Sequence, residues 1–324
     1  MGKIAISLLV AASLGAVFSV GTEQRTGDWK KVYDATEKGR PKTAIEELEP
    51  IIQAALRDKK YGEATKAITM KIALEGQIQG NKPEERIVRF EAVMADLPAE
   101  MKPTLEVVLA NWYWHYFKQN QWRFMQRTQT AEPPGDDITS WDLPRILAEI
   151  DEHFTAALEA EEQLKNTPVE SFGDLLQKGT MPDAYRPTMF DFVAHEALQF
   201  YGAGEQAGSQ AEDAFVLTAD SAIFAPLPEF LSWQIESTDT RSPILKAIRL
   251  YQKLLSFHQN DDDPTALADA DLGRLTFGYN HAFGEEKDAR YKAALEKFVD
   301  RWNDRPIAAT ALHAWASVLH GENL

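Results

Sequence analysis

From Trp29 onward the apolar residues of this chain recur three and four positions apart, and they hardly ever alternate. That spacing gathers them on one side of an α-helix, so a chain that keeps it throughout must fold by packing helix on helix. Ala44, Ile45, Leu48, Ile51, Ile52, Ala55 and Leu56 form one such face. A shorter helix carrying Trp29, Val32 and Tyr33 precedes it and ends at Gly39, and Pro41 suits the first turn of the next. A third helix is predicted from Tyr61, burying Ala64, Ala67, Ile68 and Ile72. The polar turn from Gly80 to Pro83 leads to a fourth with Ile87, Phe90, Val93 and Met94. Leu105, Val108, Leu109, Trp112, Tyr113, Tyr116 and Phe117 repeat the pattern, with Trp114 and His115 beside the stripe.

Residues 128–140 hold Pro133, Pro134, Gly135, Asp136 and Asp137, breakers that predict a long loop and an internal boundary. Beyond it a helix is expected from Leu143 to Leu164 and another from Thr188 to Tyr201, with the stretch between them broken by Pro168, Gly173, Gly179 and Pro182. Over 202–242 the pattern does not separate extended from helical chain. Regular helices resume at Ser242–Pro243 and continue near 265–282, 285–302 and 306–320. The last of these should bury Ala308, Ala311, Leu312, Trp315, Ala316 and Leu319. The fold class is therefore all-α. Short hairpins with one apolar face each must stack to bury it, which predicts a tetratricopeptide-like α-solenoid. Its repeats are degenerate, because no consensus recurs at the period of about 34 residues.

The first twenty residues differ in kind. Lys3 is followed by apolar and small residues from Ile4 to Val20, the pattern of a secretory signal peptide, with cleavage expected after Ser19 or Gly21. The alternative is an uncleaved anchor, since the run is near the lower limit for a membrane span. The expected organisation is a signal peptide over 1–21, a linker over 22–27, a helical lobe over 28–127, the loop over 128–140 and a second helical lobe over 141–324, possible as a continuation of the first. The product is expected to be periplasmic or extracellular. Among the 324 residues there is no cysteine, so thiol nucleophiles, thiolate metal sites and disulfides are excluded. A formal charge of −16 opposes nucleic-acid binding and suits an exported, soluble chain.

Motifs that carry chemistry fail on inspection. His195-Glu196 opens like a zinc-protease helix, but Gln199 stands where the second histidine belongs. His313 and His320 share one side of a helix and have no third partner nearby. Asp261-Asp262-Asp263 and Asp269-Ala270-Asp271 suggest calcium, yet Thr265, Ala266 and Leu272 occupy positions where an EF-hand loop needs other residues. The Asp run reads instead as an acidic helix start. Glu84-Glu85, Glu161-Glu162 and Glu285-Glu286 fall on polar helix faces. No nucleophile elbow, phosphate loop or dinucleotide fingerprint is present. No catalytic, cofactor-binding or metal-ligating residue is assigned. The dense aromatic run is the remaining candidate: Trp114, Trp122 and Phe124 lie off the core stripe and are the expected partner-binding residues.

Several segments carry a resemblance. They are Trp29-Lys-Lys-Val-Tyr33, Gly39-Arg-Pro-Lys-Thr-Ala-Ile45, Lys60-Tyr61-Gly62 with Ala64, Lys66 and Ala67, Trp141-Asp142 with His153-Phe154 and Ala157-Leu158, and Tyr185-Arg-Pro-Thr-Met-Phe-Asp-Phe192 with Ala194-His195 and Ala197-Leu198. Together they span most of 28–201 and resemble the N-terminal helical region of exported bacterial α2-macroglobulin family proteins. The resemblance implies a protease-inhibitor context. The chain departs from that family in having no thioester cysteine and no strand-rich macroglobulin domains, so protease trapping is carried over to no residue. The expected function is a non-catalytic exported scaffold or interaction module, read as the helical part alone, that serves a protein or peptide partner or downstream domains of a longer chain. The alternatives are a stand-alone exported solenoid that binds peptides or proteins, and an all-α enzyme acting on polysaccharide. No cofactor is expected, no nucleic acid is expected, and a membrane is expected only if the N-terminal segment is retained.

Overall fold

A computed structural model describes residues 25–80, 82–126, 135, 137–177, 179–204 and 214–321, with the backbone of Ser7–Leu8. The proposed leader otherwise lies outside the described residues, as do residues 22–24 of the linker and most of the 128–140 loop; the linker's end is corrected, because Thr26 and Gly27 already belong to the first helix. The described chain is all-α, with fourteen helices and one two-stranded pairing, Ser7–Leu8 against Leu176–Gln177. It divides into two compact units. One holds the chain to Asp183 with Thr188–Val193, and the other holds Ala184–Pro187 with Ala194–Leu324.

In the first unit, α1 (Thr26–Glu37), α2 (Pro41–Arg57), α3 (Tyr61–Ile78), α4 (Pro83–Met94) and α5 (Lys102–Gln119) follow one another, each packed on the next. The turns between the first three are alike. Gly39 and Lys59 take left-handed backbone conformations, φ 65° and 55°. The amides of Arg40 and Lys60 reach back to the carbonyls of Ala35 and Ala55 at 2.9 and 2.8 Å. These six-to-one bonds end a helix and reverse the chain in three residues, which makes consecutive hairpins. On α2 the predicted stripe is buried at Ala44, Leu48, Ile51, Ile52 and Ala55. The helix is kept in place by burial of that face rather than by its own propensity.

Glu63, in the first turn of α3, ties this region together. Its carboxylate accepts Trp29 Nε1 at 2.9 Å and Arg25 Nη2 at 2.5 Å. Burial works against the charge, but Arg25 and Trp29 outweigh it and hold the carboxyl below its ordinary value. A depressed folded pKa stabilises the fold above the unfolded value, and that stability is lost as pH falls through the folded one. Glu63→Gln should therefore cost about 1.5–3 kcal/mol at pH 7. The gap from the parent should close as the pH is lowered below about 4. Urea unfolding of both proteins at pH 7 and pH 3.5 measures it, and a gap that stays constant would remove the carboxylate charge from the account.

α5 is buried nearly all round, from Leu105 through Phe117, because α4 lies on one side of it and α7 (Leu143–Glu159) on another. The short α6 (Gln121–Met125) follows it. α7 begins at Asp142, whose Oδ1 accepts the Arg145 amide at 2.9 Å. The helix expected to reach Leu164 breaks at Ala160 and resumes as α8 (Glu161–Lys165). Since α5 and α7 pack on each other, the 128–140 loop connects two helices of one unit. The expected boundary there is corrected: the units part between Asp183 and Ala194, within or just before α9 (Met189–Tyr201).

In the second unit Leu217 and Thr218 are extended: Phe283 N donates to Leu217 O at 2.9 Å and Ala219 N to Phe283 O at 2.8 Å. The short α10 (Leu227–Ser232) leads to α11 (Pro243–His258), α12 (Thr265–His281), α13 (Lys287–Trp302) and α14 (Ile307–Gly321). These again pack chiefly on their sequence neighbours. Gly278 on α12 is a close-approach glycine, since a Cβ there would lie 2.6 Å from Ile223 Cγ1. On α14 the predicted stripe is corrected in part. Ala308 and Ala311 are buried and Trp315 is half-buried, but Leu312, Ala316 and Leu319 are exposed, because α14 is covered by α13 and α12 along one side only. No helix among the described residues is long and apolar enough to cross a membrane.

Candidate functional site

The expected partner-binding residues separate. Phe124 is fully buried, with its ring 6.0 Å from Tyr116 and 5.7 Å from Phe117. Trp114 is 9% exposed and lies beneath the Lys118 ammonium at 4.4 Å. Both therefore spend their apolar surface on the chain's own packing. α5 lies between two helices, so positions off the predicted stripe are also covered. Trp122 alone keeps the expected exposure, at 74%, and Met125 one turn along α6 is 60% exposed. The buried Phe124 fixes the helix that presents them.

The residues singled out as failed motifs have structural partners. Asp263 Oδ1 accepts the Thr265 amide at 3.1 Å at the start of α12 and pairs with Arg305 at 3.1 Å. Asp261 Oδ2 lies 2.6 Å from Nδ1 of the buried His258. Asp269 has Arg186 Nε at 3.7 Å and His195 Nε2 at 3.5 Å. Asp271 pairs with Arg274 at 2.8 Å. The chain's own side chains thus take up these carboxylates. His313 and His320 are exposed on α14, and His115 Nε2 is 2.6 Å from Gln119.

The first unit also assembles a group that sequence motifs did not mark. Tyr113 on α5 stacks between Trp141, at 5.7 Å between ring centroids, and His153 on α7, at 5.4 Å. Its hydroxyl donates to Glu91 Oε1 of α4 at 2.6 Å. His153 Nδ1 is 2.7 Å from Glu106 Oε2 of α5, while its Nε2 faces Glu149 Oε1 at 3.6 Å. Glu149 in turn pairs with Arg145 Nη1 through Oε2 at 2.5 Å, and the Arg145 guanidinium covers the Trp141 ring at 4.5 Å. Burial pushes the His153 imidazole down, but Glu106 and Glu149 outweigh it and hold it up at about 9. Burial and the neighbouring Glu91 carboxylate push the Tyr113 phenol above its ordinary value. His153 and Arg145 keep Glu149 below its own. The group can hold a proton on His153 or, with that proton removed, offer an imidazole nitrogen beside two carboxylates.

Only part of this group is legible in the sequence. Glu149 and His153 stand four apart on a predicted helix and so share a face. Glu91, Glu106 and Tyr113 reach them through the packing of α4 and α5, which no local spacing encodes. Comparisons with protein-family models, curated proteins and solved structures found no match to the chain, so its own geometry carries the functional argument.

Proposed function

We propose that the chain is a non-catalytic, exported helical scaffold or interaction module that serves a protein or peptide partner. The observation that carries this is the presentation of Trp122 and Met125 on a short helix whose Phe124 is locked into the core. A helix anchored through a buried side chain presents its exposed apolar residues in a fixed place, and tryptophan is enriched where binding energy concentrates. Packing of each helix on its sequence neighbour supports a degenerate solenoid, an architecture that offers extended binding surface. The resemblance of residues 28–201 to the N-terminal helical region of bacterial α2-macroglobulin proteins supports a scaffold role beside other domains. The Ile4–Val20 run supports export.

Two measurements test this. Intact mass and N-terminal sequencing of the protein recovered outside the cytoplasm should give a chain beginning at Val20 or Thr22. An N-terminus at Met1 would remove the cleaved leader. A photo-crosslinking residue placed at Trp122 should give one recurrent adduct that Met125→Asp abolishes, while the same probe at the exposed Lys42 gives none. Equal labelling from both positions would defeat the proposed surface.

A further inference from the structure

The geometry points to a divalent transition-metal site formed by Glu91, Glu149 and His153, tying α4 to α7 across α5. One donor atom from each of the three lies within 4.8 Å of the other two. The set comes from two separate helices and joins one imidazole nitrogen to two carboxylate oxygens, so it is not a chance run of surface acid. His153 Nε2 is out of contact with solvent, and its facing carboxylate oxygen, Glu149 Oε1, stands off at 3.6 Å, an ion-pair contact longer than a hydrogen bond. A ring nitrogen held this loosely beside two carboxylates can exchange its proton for a cation.

The outer groups are arranged as metal sites arrange them. Each proposed ligand has its own holder. Glu106 takes Nδ1 of His153 at 2.7 Å, Tyr113 donates to Glu91 at 2.6 Å, and Arg145 pairs with Glu149 at 2.5 Å. A carboxylate on the far nitrogen of a ligating histidine fixes its orientation and leaves Nε2 as the donor. The stack of Trp141, Tyr113 and His153 holds the ring plane. On a bound ion the donors would close to bonds of about 2.0–2.2 Å. Metal binding releases the Nε2 proton of His153 to solvent, after which Glu91, Glu106 and Glu149 against Arg145 leave two negative charges, which a divalent cation neutralises. One nitrogen among the donors favours zinc and its first-row neighbours over magnesium or calcium, and three protein ligands leave a position for water.

The test is calorimetric titration of the chelator-stripped full chain with Zn²⁺ at pH 7.5, with Co²⁺ absorption reporting the coordination geometry. One equivalent should bind and raise the thermal midpoint. Glu91→Gln and His153→Gln should each weaken binding at least tenfold, and Glu106→Gln should weaken it about 10–100-fold by releasing the histidine. Glu100→Gln, at an exposed position, should leave it unchanged. Glu91 is only half-buried and its glutamine still accepts from Tyr113, so Glu91→Gln decides the matter even if His153→Gln fails to fold. Absence of binding by the parent, or equal affinity in the parent and Glu91→Gln, would overturn the site.

Discussion

Arg274→Ala is expected to cost about 3–5 kcal/mol of stability, the largest effect of any single substitution considered for the second unit. The side chain is 2% exposed, and its guanidinium donates to the carbonyl of Ala225 at 2.8 Å, pairs with Asp271 at 2.8 Å and lies 4.6 Å from the centre of the Phe230 ring. Alanine would leave the Asp271 carboxylate and the Ala225 carbonyl without the cation and would open a cavity against Phe230. The penalty is mostly that of a buried charge left alone. Arg274→Met combined with Asp271→Leu should therefore recover a large part of it by removing both charges and keeping volume. Urea midpoints of the two variants check this, and a double variant no better than Arg274→Ala would place the loss in packing instead.

Phe124→Ala should cost about 3–5 kcal/mol, while Trp122→Ala, two residues away, should stay within about 0.5 kcal/mol of the parent. Phe124 is fully buried against Tyr116 and Phe117, whereas Trp122 is in water. Thermal unfolding of the two variants measures the difference. Equal losses would mean that Trp122 is part of the core, and the proposed partner surface would lose its main residue. The same contrast protects the crosslinking experiment, because a substitution at Trp122 that leaves the fold intact can be read as an effect on binding.

These two residues also show how much the chain's pattern reveals. Trp122 and Phe124 both fall off the stripe that predicts burial on α5. Only the turn at Asn120, which starts α6, sends one inward and the other out. Trp114 sits beside that stripe and is buried all the same, since α5 has neighbours on more than one side. Periodicity reports a helix with one wet face. It loses contrast wherever a helix is surrounded, and α5 and α3 are the clearest cases, α3 burying even Lys66, whose ammonium lies over the Trp29 ring. The 128–140 loop misled for a related reason. Breakers in a chain mark where a helix stops, but whether the helices on either side part company depends on what their faces meet.

The sequence by itself determined the all-α class, the order of the helices, most of their ends and the absence of thiol chemistry. These depend on interactions within a few residues: apolar spacing, prolines at first turns, and glycine at the helix end of Gly39. Tertiary structure alone decided where the units divide, which aromatics stay exposed, and that Glu91 and Glu106 meet His153. Those outcomes depend on contacts between side chains far apart in the chain. Their free energy appears only when α4, α5 and α7 bury their faces together, so no window of local sequence contains it.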